Sequence, residues 1–116
     1  MLFIGYPKCS TCQKAKKFLD ERGILYEYRH IAEQKPAAEE LSLWAGKSGL
    51  PLKKFFNTSG QLYRSLNLKD RLPAMTEGEM LDLLASDGML VKRPILVTEN
   101  AVLVGFREAE WEETVK

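Results

Sequence analysis

The segment Lys8-Cys9-Ser10-Thr11-Cys12 constrains this chain more than any other. It follows directly on Leu2-Phe3-Ile4-Gly5-Tyr6, a short apolar run that reads as a buried strand. It opens Gln13-Lys14-Ala15-Lys16-Lys17-Phe18-Leu19, whose apolar spacing is that of an amphipathic helix. Both cysteines of the chain therefore lie at one strand-to-helix turn. A helix start presents unpaired backbone N–H groups and the positive end of the helix dipole, and both favour a thiolate over a thiol. Cys9 is expected to ionise more readily than a free cysteine, with Lys8 and Lys14 adding positive charge nearby. Cys12 falls about one helical turn further on, within reach of a sulfur bonded to Cys9. This is the spacing of a nucleophile with a resolving partner.

Other uses of the two thiols fit less well. Two cysteines and a single histidine, His30, fall short of the four ligands of a structural zinc site within one chain, so no metal is expected. A bridge across two residues closes too small a loop to restrain the unfolded chain much, which argues against a permanent structural disulfide. Two inert buried cysteines are the plain alternative, and the strand-to-helix placement favours redox chemistry over it. His30 could serve as an acid or base near the thiols, but at the end of a strand it is read as a surface or edge residue.

The chain has 116 residues, the length of one domain, so a single unit is expected over 1–116. Its net charge is +1, from 17 basic and 16 acidic residues, which leaves no excess to neutralise phosphates; direct nucleic-acid binding is not expected. No apolar run approaches a membrane span, and the first strand starts too early to leave room for a signal peptide. The expected location is the cytoplasm, where a disulfide is transient and catalytic rather than structural. A monomer is expected.

Further along, the spacing predicts a helix over Ser10–Arg22 stopped by Gly23, then a strand over Ile24–Ile31. A crossover helix makes these first two strands parallel. Pro36 suits a first helical position, and a helix is expected from Ala37 to Gly46 with Leu41 and Trp44 inward. Short helical pieces are expected around Leu52–Phe56 and Leu62–Leu68. Thr76 and Glu79 form a capping-box pair ahead of Met80, Leu81, Leu83 and Leu84, and Asp87-Gly88 ends that helix. Positions 36–88 are thus helical in several short pieces, with no strand signal. Pro94–Thr98 and Ala101–Phe106 then read as an antiparallel hairpin, and Glu108–Glu112 begins a last helix.

Strand, helix, strand, helices, strand, strand, helix, with C-x-x-C after the first strand, is the thioredoxin arrangement. The expected fold is α/β and thioredoxin-like, a mixed four-stranded sheet with a helical subdomain at 36–88 inserted between strands two and three. That fold places a cis peptide bond before a proline opening the third strand, which here is Pro94.

The chain resembles the glutaredoxin-like arsenate reductase and Spx family along nearly its whole length. The resemblance is carried by Tyr6-Pro7-Lys8-Cys9-Ser10-Thr11-Cys12, by Tyr63-Arg64-Ser65-Leu66-Asn67-Leu68 and by Lys92-Arg93-Pro94-Ile95-Leu96-Val97. It implies that the first cysteine attacks arsenate, that glutathione and glutaredoxin release the product, and that three arginines hold the oxyanion. Arg93 matches the arginine before the cis proline. Where the reductases carry an arginine in the insertion, this chain has Asn57 after Phe55-Phe56, and the third arginine position falls near Gly105, with Arg107 close by. Cys12 is additional to the one-cysteine reductases.

The candidate catalytic residues are accordingly Cys9, Cys12 and Arg93, and the candidate substrate-binding residues Lys8, Ser10, Thr11, Arg93, Pro94 and Arg107. The expected activity is thiol–disulfide exchange on a small oxyanion or disulfide, with no bound cofactor. Glutathione, glutaredoxin or a thioredoxin-type protein is the expected reductant. The alternative implied by the resemblance is an Spx-like redox-switched transcriptional regulator that binds the RNA polymerase α subunit through a glycine in the insertion, here Gly46 or Gly49.

Overall fold

The computed structural model describes residues 1–115; position 116, the last of the expected domain, lies outside the described residues. The elements in chain order are β1 (Leu2–Gly5), α1 (Ser10–Glu21), β2 (Glu27–His30), α2 (Ala38–Ser48), α3 (Gln61–Ser65), α4 (Leu68–Arg71), α5 (Glu77–Ser86), β3 (Ile95–Val97), β4 (Val102–Val104) and α6 (Glu108–Val115), with short 3-10 turns at Leu52–Phe55, Leu72–Ala74 and Gly88–Leu90. The four strands form one sheet in the order β2-β1-β3-β4. β1 runs parallel to β2, and β3 is antiparallel to both β1 and β4. This is the mixed thioredoxin-like sheet the residue pattern predicts.

Strand alternation sorts the core into two layers. Phe3 pairs with Leu96 and Leu96 with Leu103, so these residues share one face of the sheet. They pack with Cys12, Ala15, Phe18 and Leu19 of α1 and Trp111 of α6. Ile4 and Ile95, paired one position on, face the opposite way. They meet Leu41 and Trp44 of α2, Phe55, Phe56, Leu68 and Leu84, all from the helical segment between β2 and β3. The thiol turn thus sits at the end of β1, with α1 behind it and the inserted helices across the sheet.

Several boundaries differ from expectation, each for a local reason. β2 begins at Glu27 rather than Ile24, because Gly23 adopts φ +65° and the N–H groups of Arg22, Gly23 and Ile24 fold back on the carbonyls of Leu19 and Asp20. Sheet pairing starts only where the Glu27 N–H reaches the Met1 carbonyl at 2.9 Å. Helix α2 runs through Gly46 to Ser48 and stops at Gly49, whose φ of +71° supplies the left-handed cap. Pro36 is buried ahead of the Ala37 N-cap, not at the first helical position, and the Glu40 carboxylate accepts the Ala37 N–H at 3.0 Å. The Thr76–Glu79 capping box forms as expected, at 2.9 and 3.1 Å. One bridge, Phe56 to Val91, ties the insertion to the approach of β3.

His30 ends β2 at the sheet edge. Its Nδ1 accepts the Ala32 and Glu33 N–H groups, each at 3.2 Å, and its ring meets Tyr6 edge-on at 5.5 Å. These contacts hold the turn after the strand. No helix among the described residues is long and apolar enough to cross a membrane.

Candidate active site

The chain turns from β1 into α1 through a small set of backbone bonds. The Cys9 N–H donates to the Tyr6 carbonyl at 3.0 Å, and the Cys9 carbonyl accepts the Gln13 N–H at 3.0 Å, which starts the helix. Cys9 occupies the N-cap with φ −88° and ψ 120°, so its side chain stands at the mouth of the first turn. The Gln13 amide reaches back to the Pro7 carbonyl at 2.9 Å and fastens the outside of the turn. Cys12 points inward and is 3% exposed; its Sγ accepts the Tyr6 N–H at 3.5 Å. Gly5 makes room for this packing, since a Cβ there would lie 2.9 Å from the Phe3 ring and 3.5 Å from the Cys12 Cβ.

The opposite wall comes from the segment before β3. The Lys92 N–H donates to the Phe55 carbonyl at 2.7 Å and the Asn57 N–H to the Leu90 carbonyl at 2.8 Å. Arg93 follows, then a cis bond to the buried Pro94. The Pro94 carbonyl accepts the Gly105 N–H at 2.8 Å, which brings the end of β4 beside it. The Arg93 guanidinium lies 5.1 Å from the Tyr6 ring centroid, a cation–π distance, and its Nη1 is buried with no hydrogen-bond partner. A buried, unpartnered guanidinium nitrogen is costly unless an acceptor arrives from outside.

The two thiols are tuned in opposite directions. Burial alone would raise Cys9. It is outweighed by hydrogen bonds from the Cys12 backbone and side chain and from Arg93, together with the Arg93 charge, so the Cys9 thiol lies below its ordinary value. Cys12 is pushed up to about 12, first by burial and then by the neighbouring Cys9, against the Tyr6 N–H and the Arg93 charge. The two shifts favour the thiolate at Cys9 and the thiol at Cys12. Replacing Arg93 with Gln removes a positive charge from beside Cys9, so the midpoint of thiolate formation should rise. Alkylation by iodoacetamide at pH 7 should then slow. A midpoint unchanged from the parent protein would remove Arg93 from this role.

A cleft of about 730 Å³ opens in front of Cys9. Of the residues singled out in the sequence, it brings together Cys9, Thr11, Arg93 and Arg107. Lys8 and Ser10 are exposed but are not among its lining, and Pro94 and Cys12 lie behind it. Lys92, Asn57, Ser59, Gln61 and Gly105 also face it. Lys92 is an addition to the candidate residues, and Gly105 stands near where the resemblance puts the third arginine position. The available signals were a second cation beside Arg93 and a glycine closing the last strand. Gly105 has φ +80°, and a Cβ on it would stand 3.1 Å from the Lys92 Cε. Asn57 folds over its own turn, so that a Cβ on Gly60 would lie 2.9 Å from its Nδ2. Among the described residues no group of three His, Cys, Asp or Glu side chains could hold a metal ion.

Known proteins resemble the chain over nearly its whole length. The chain is 58% identical over 113 residues to the uncharacterized protein YusI of Bacillus subtilis, across 97% of this chain and 96% of that one. It is 30% identical to the global transcriptional regulator Spx of Enterococcus faecalis, covering 90% of this chain and 77% of the regulator. A crystal structure from Streptococcus mutans, described as a possible arsenate reductase, superposes with a TM-score of 0.89 at 49% identity, over 97% of this chain and 96% of that one. The ArsC family profile matches residues 4–114, and with it the whole thiol turn, the inserted helices and the cis-proline wall: the chain belongs to the ArsC family.

Proposed function

We propose that the protein is a thiol–disulfide oxidoreductase in which Cys9 is the attacking thiolate and Cys12 the resolving thiol. The observation that carries this reading is the opposed tuning of two thiols on one turn, lowered at Cys9 and raised to about 12 at Cys12, in front of a cleft. Paired groups pushed apart in this way divide a reaction between them. In the first step the Cys9 thiolate attacks one sulfur of a disulfide. The substrate S–S bond breaks, one thiolate leaves, and Cys9 carries the other half as a mixed disulfide. In the second step Cys12 gives its proton to solvent and attacks the Cys9 sulfur, and the second thiolate departs. Two electrons have then passed from the cysteine pair to the substrate. Glutathione, alone or through a glutaredoxin, or a thioredoxin-type protein returns the pair to the dithiol by the same exchange in reverse. Such chemistry suits the reducing cytoplasm.

The Cys12→Ser variant tests the division of labour. It should stall after the first step, and intact mass should show the protein carrying one half of the disulfide. Added glutathione should release that adduct. Release of both halves of the disulfide by Cys12→Ser in a single turnover without added thiol would show that Cys12 resolves nothing. A tetrahedral oxyanion is the other electrophile for Cys9, favoured by the guanidinium of Arg93 and disfavoured by Asn57 at the insertion position. Arsenate-dependent turnover with glutathione and glutaredoxin separates the two substrate classes.

A second reading follows from the 30% identity to a transcriptional regulator over 90% of this chain. Under it the same cysteine pair switches a contact with the RNA polymerase α subunit. Retention of that subunit by the reduced or the oxidised protein, with no disulfide turnover by either, would favour it.

A further inference from the structure

The cleft is far larger than the attack on a sulfur requires, and its charge is one-sided. At about 730 Å³ it falls within the roughly 300–1,000 Å³ of sites that hold organic molecules. Lys92, Arg93 and Arg107 line it, and no Asp or Glu does. The adjoining smaller hollow, about 210 Å³, shares Lys92 and Arg107 and adds Lys54 with one carboxylate, Glu110. Among the described residues the ion pairs are Lys16–Asp20, Arg22–Glu112 and Arg29–Glu40, so none of the three cleft cations is neutralised by one. The whole chain carries only +1, so this excess is local to the cleft.

The three cations are not equivalent. Arg93 is committed to the sulfur, through its hydrogen bond and charge at Cys9. Lys92 and Arg107 line the cleft together with Val104 and Gly105, where β4 ends. The Lys92 stem lies close over Gly105, whose backbone is fixed by the Pro94 carbonyl on one side and by the Trp111 indole N–H, at 3.0 Å, on the other. Asn57, folded on its own turn, supplies no charge on the wall opposite and leaves that wall open to Ser59 and Gln61. A substrate with its sulfur at Cys9 therefore shares one cleft with both cations.

Building on the thiol-exchange reading above, we infer that this cleft selects organic disulfides that carry carboxylates, with Lys92 and Arg107 reading the negative charge away from the sulfur. The bond changes are those of the first step: the Cys9 thiolate displaces a carboxylate-bearing thiolate from its partner sulfur. Lys92 and Arg107 are specificity residues in this step and exchange no proton with the reacting atoms.

Three small disulfides of the same chain length class decide it: 3,3′-dithiodipropionate with two carboxylates, bis(2-hydroxyethyl) disulfide with none, and cystamine with two ammonium groups. The rate of mixed-disulfide formation at Cys9 is followed by intact mass at low ionic strength. Each rate is divided by that of the same disulfide with free mercaptoethanol at equal thiolate concentration. The normalised rate for the dicarboxylate should exceed that for cystamine by about 10- to 100-fold, the range of electrostatic steering into a charged cleft. The preference should shrink in 0.5 M salt. It should fall several-fold in Lys92→Gln and return in Lys92→Arg, which a purely structural role for the lysine stem would not reproduce. Equal normalised rates for all three disulfides, or a preference indifferent to Lys92→Gln and to salt, would overturn the inference while leaving thiol exchange intact. No reaction with any of the three, by a Cys9 that still alkylates, would remove the thiol-exchange reading and the inference together.

Discussion

Cys9→Ser is expected to show no detectable turnover with any disulfide, and none with arsenate in the presence of glutathione and glutaredoxin. Serine is nearly isosteric, so the N-cap is kept and even favoured, because a serine hydroxyl is a better cap than a thiol. The loss is therefore chemical. A thiol held below its ordinary value by the Cys12 hydrogen bonds and by Arg93 gives up its proton more readily than a free cysteine, whereas a hydroxyl in the same place does not and has no adjacent base to activate it. Nor can an oxygen there form the disulfide on which resolution by Cys12 depends. Far-UV circular dichroism should match the parent protein and isolate the chemical effect. Activity retained by this variant would mean that Cys12, despite its burial and raised ionisation, is the nucleophile.

The pH dependence follows from the same contacts. Because the Cys9 thiol is lowered, the rate of the first step should rise with pH through a midpoint below the 9.0 of an unperturbed thiol and then level off. Cys12 contributes no second rise until the region of 12. Under the proposed mechanism, this division would assign two identical side chains, three positions apart, to different steps.

Much of this was legible in the residues. The apolar alternation Leu2-Phe3-Ile4 and Ile95-Leu96-Val97 defines two faces, and those faces are the two cores. The C-x-x-C turn, the Thr76 cap and the cis-proline position are local signals, set by a few neighbouring residues. The errors were of a different kind. Gly46 looked like a helix end, yet the helix continues because Leu41 and Trp44 are buried on its inner face and Gly49, not Gly46, takes the positive φ. Interior glycine costs only about 1 kcal/mol, less than that burial returns. Lys8 and Ser10 are exposed on the thiol turn and do not line the cleft, which is built from segments far apart in the chain. Lys92 and Gly105 reach it because the last hairpin folds back on the segment before β3, a contact between positions thirteen apart that no local pattern announces.

Trp111→Ala should destabilise the protein more than any other single change away from the thiols, by about 3–5 kcal/mol. The side chain is fully buried and is the one buried residue of α6. It meets Phe106 at 5.0 Å, Phe3 at 6.2 Å and Phe18 at 6.3 Å, each edge to face, so it joins the helix to both the sheet and α1. Its Nε1 donates to the Gly105 carbonyl at 3.0 Å inside the core. Truncation removes the packing and leaves that carbonyl without its donor; the surface Arg22–Glu112 pair, at 2.7 Å, is too exposed to compensate. The midpoint of thermal unfolding should fall by roughly 12–20 °C. Trp111→Phe separates the two contributions: it keeps most of the ring contacts and loses only the N–H, and should cost about 1–3 kcal/mol. The phenylalanine variant also bears on the cleft, because Gly105 is the hinge between β4 and Arg107. With the indole bond gone, Gly105 keeps only its bond to Pro94, and the charge-reading end of the cleft should lose definition while Cys9 and Arg93 do not. The Cys9 alkylation rate should then stay near that of the parent, and the preference for dicarboxylate over cationic disulfide should weaken. A full preference in Trp111→Phe would mean that the Pro94 bond alone fixes the Gly105 turn.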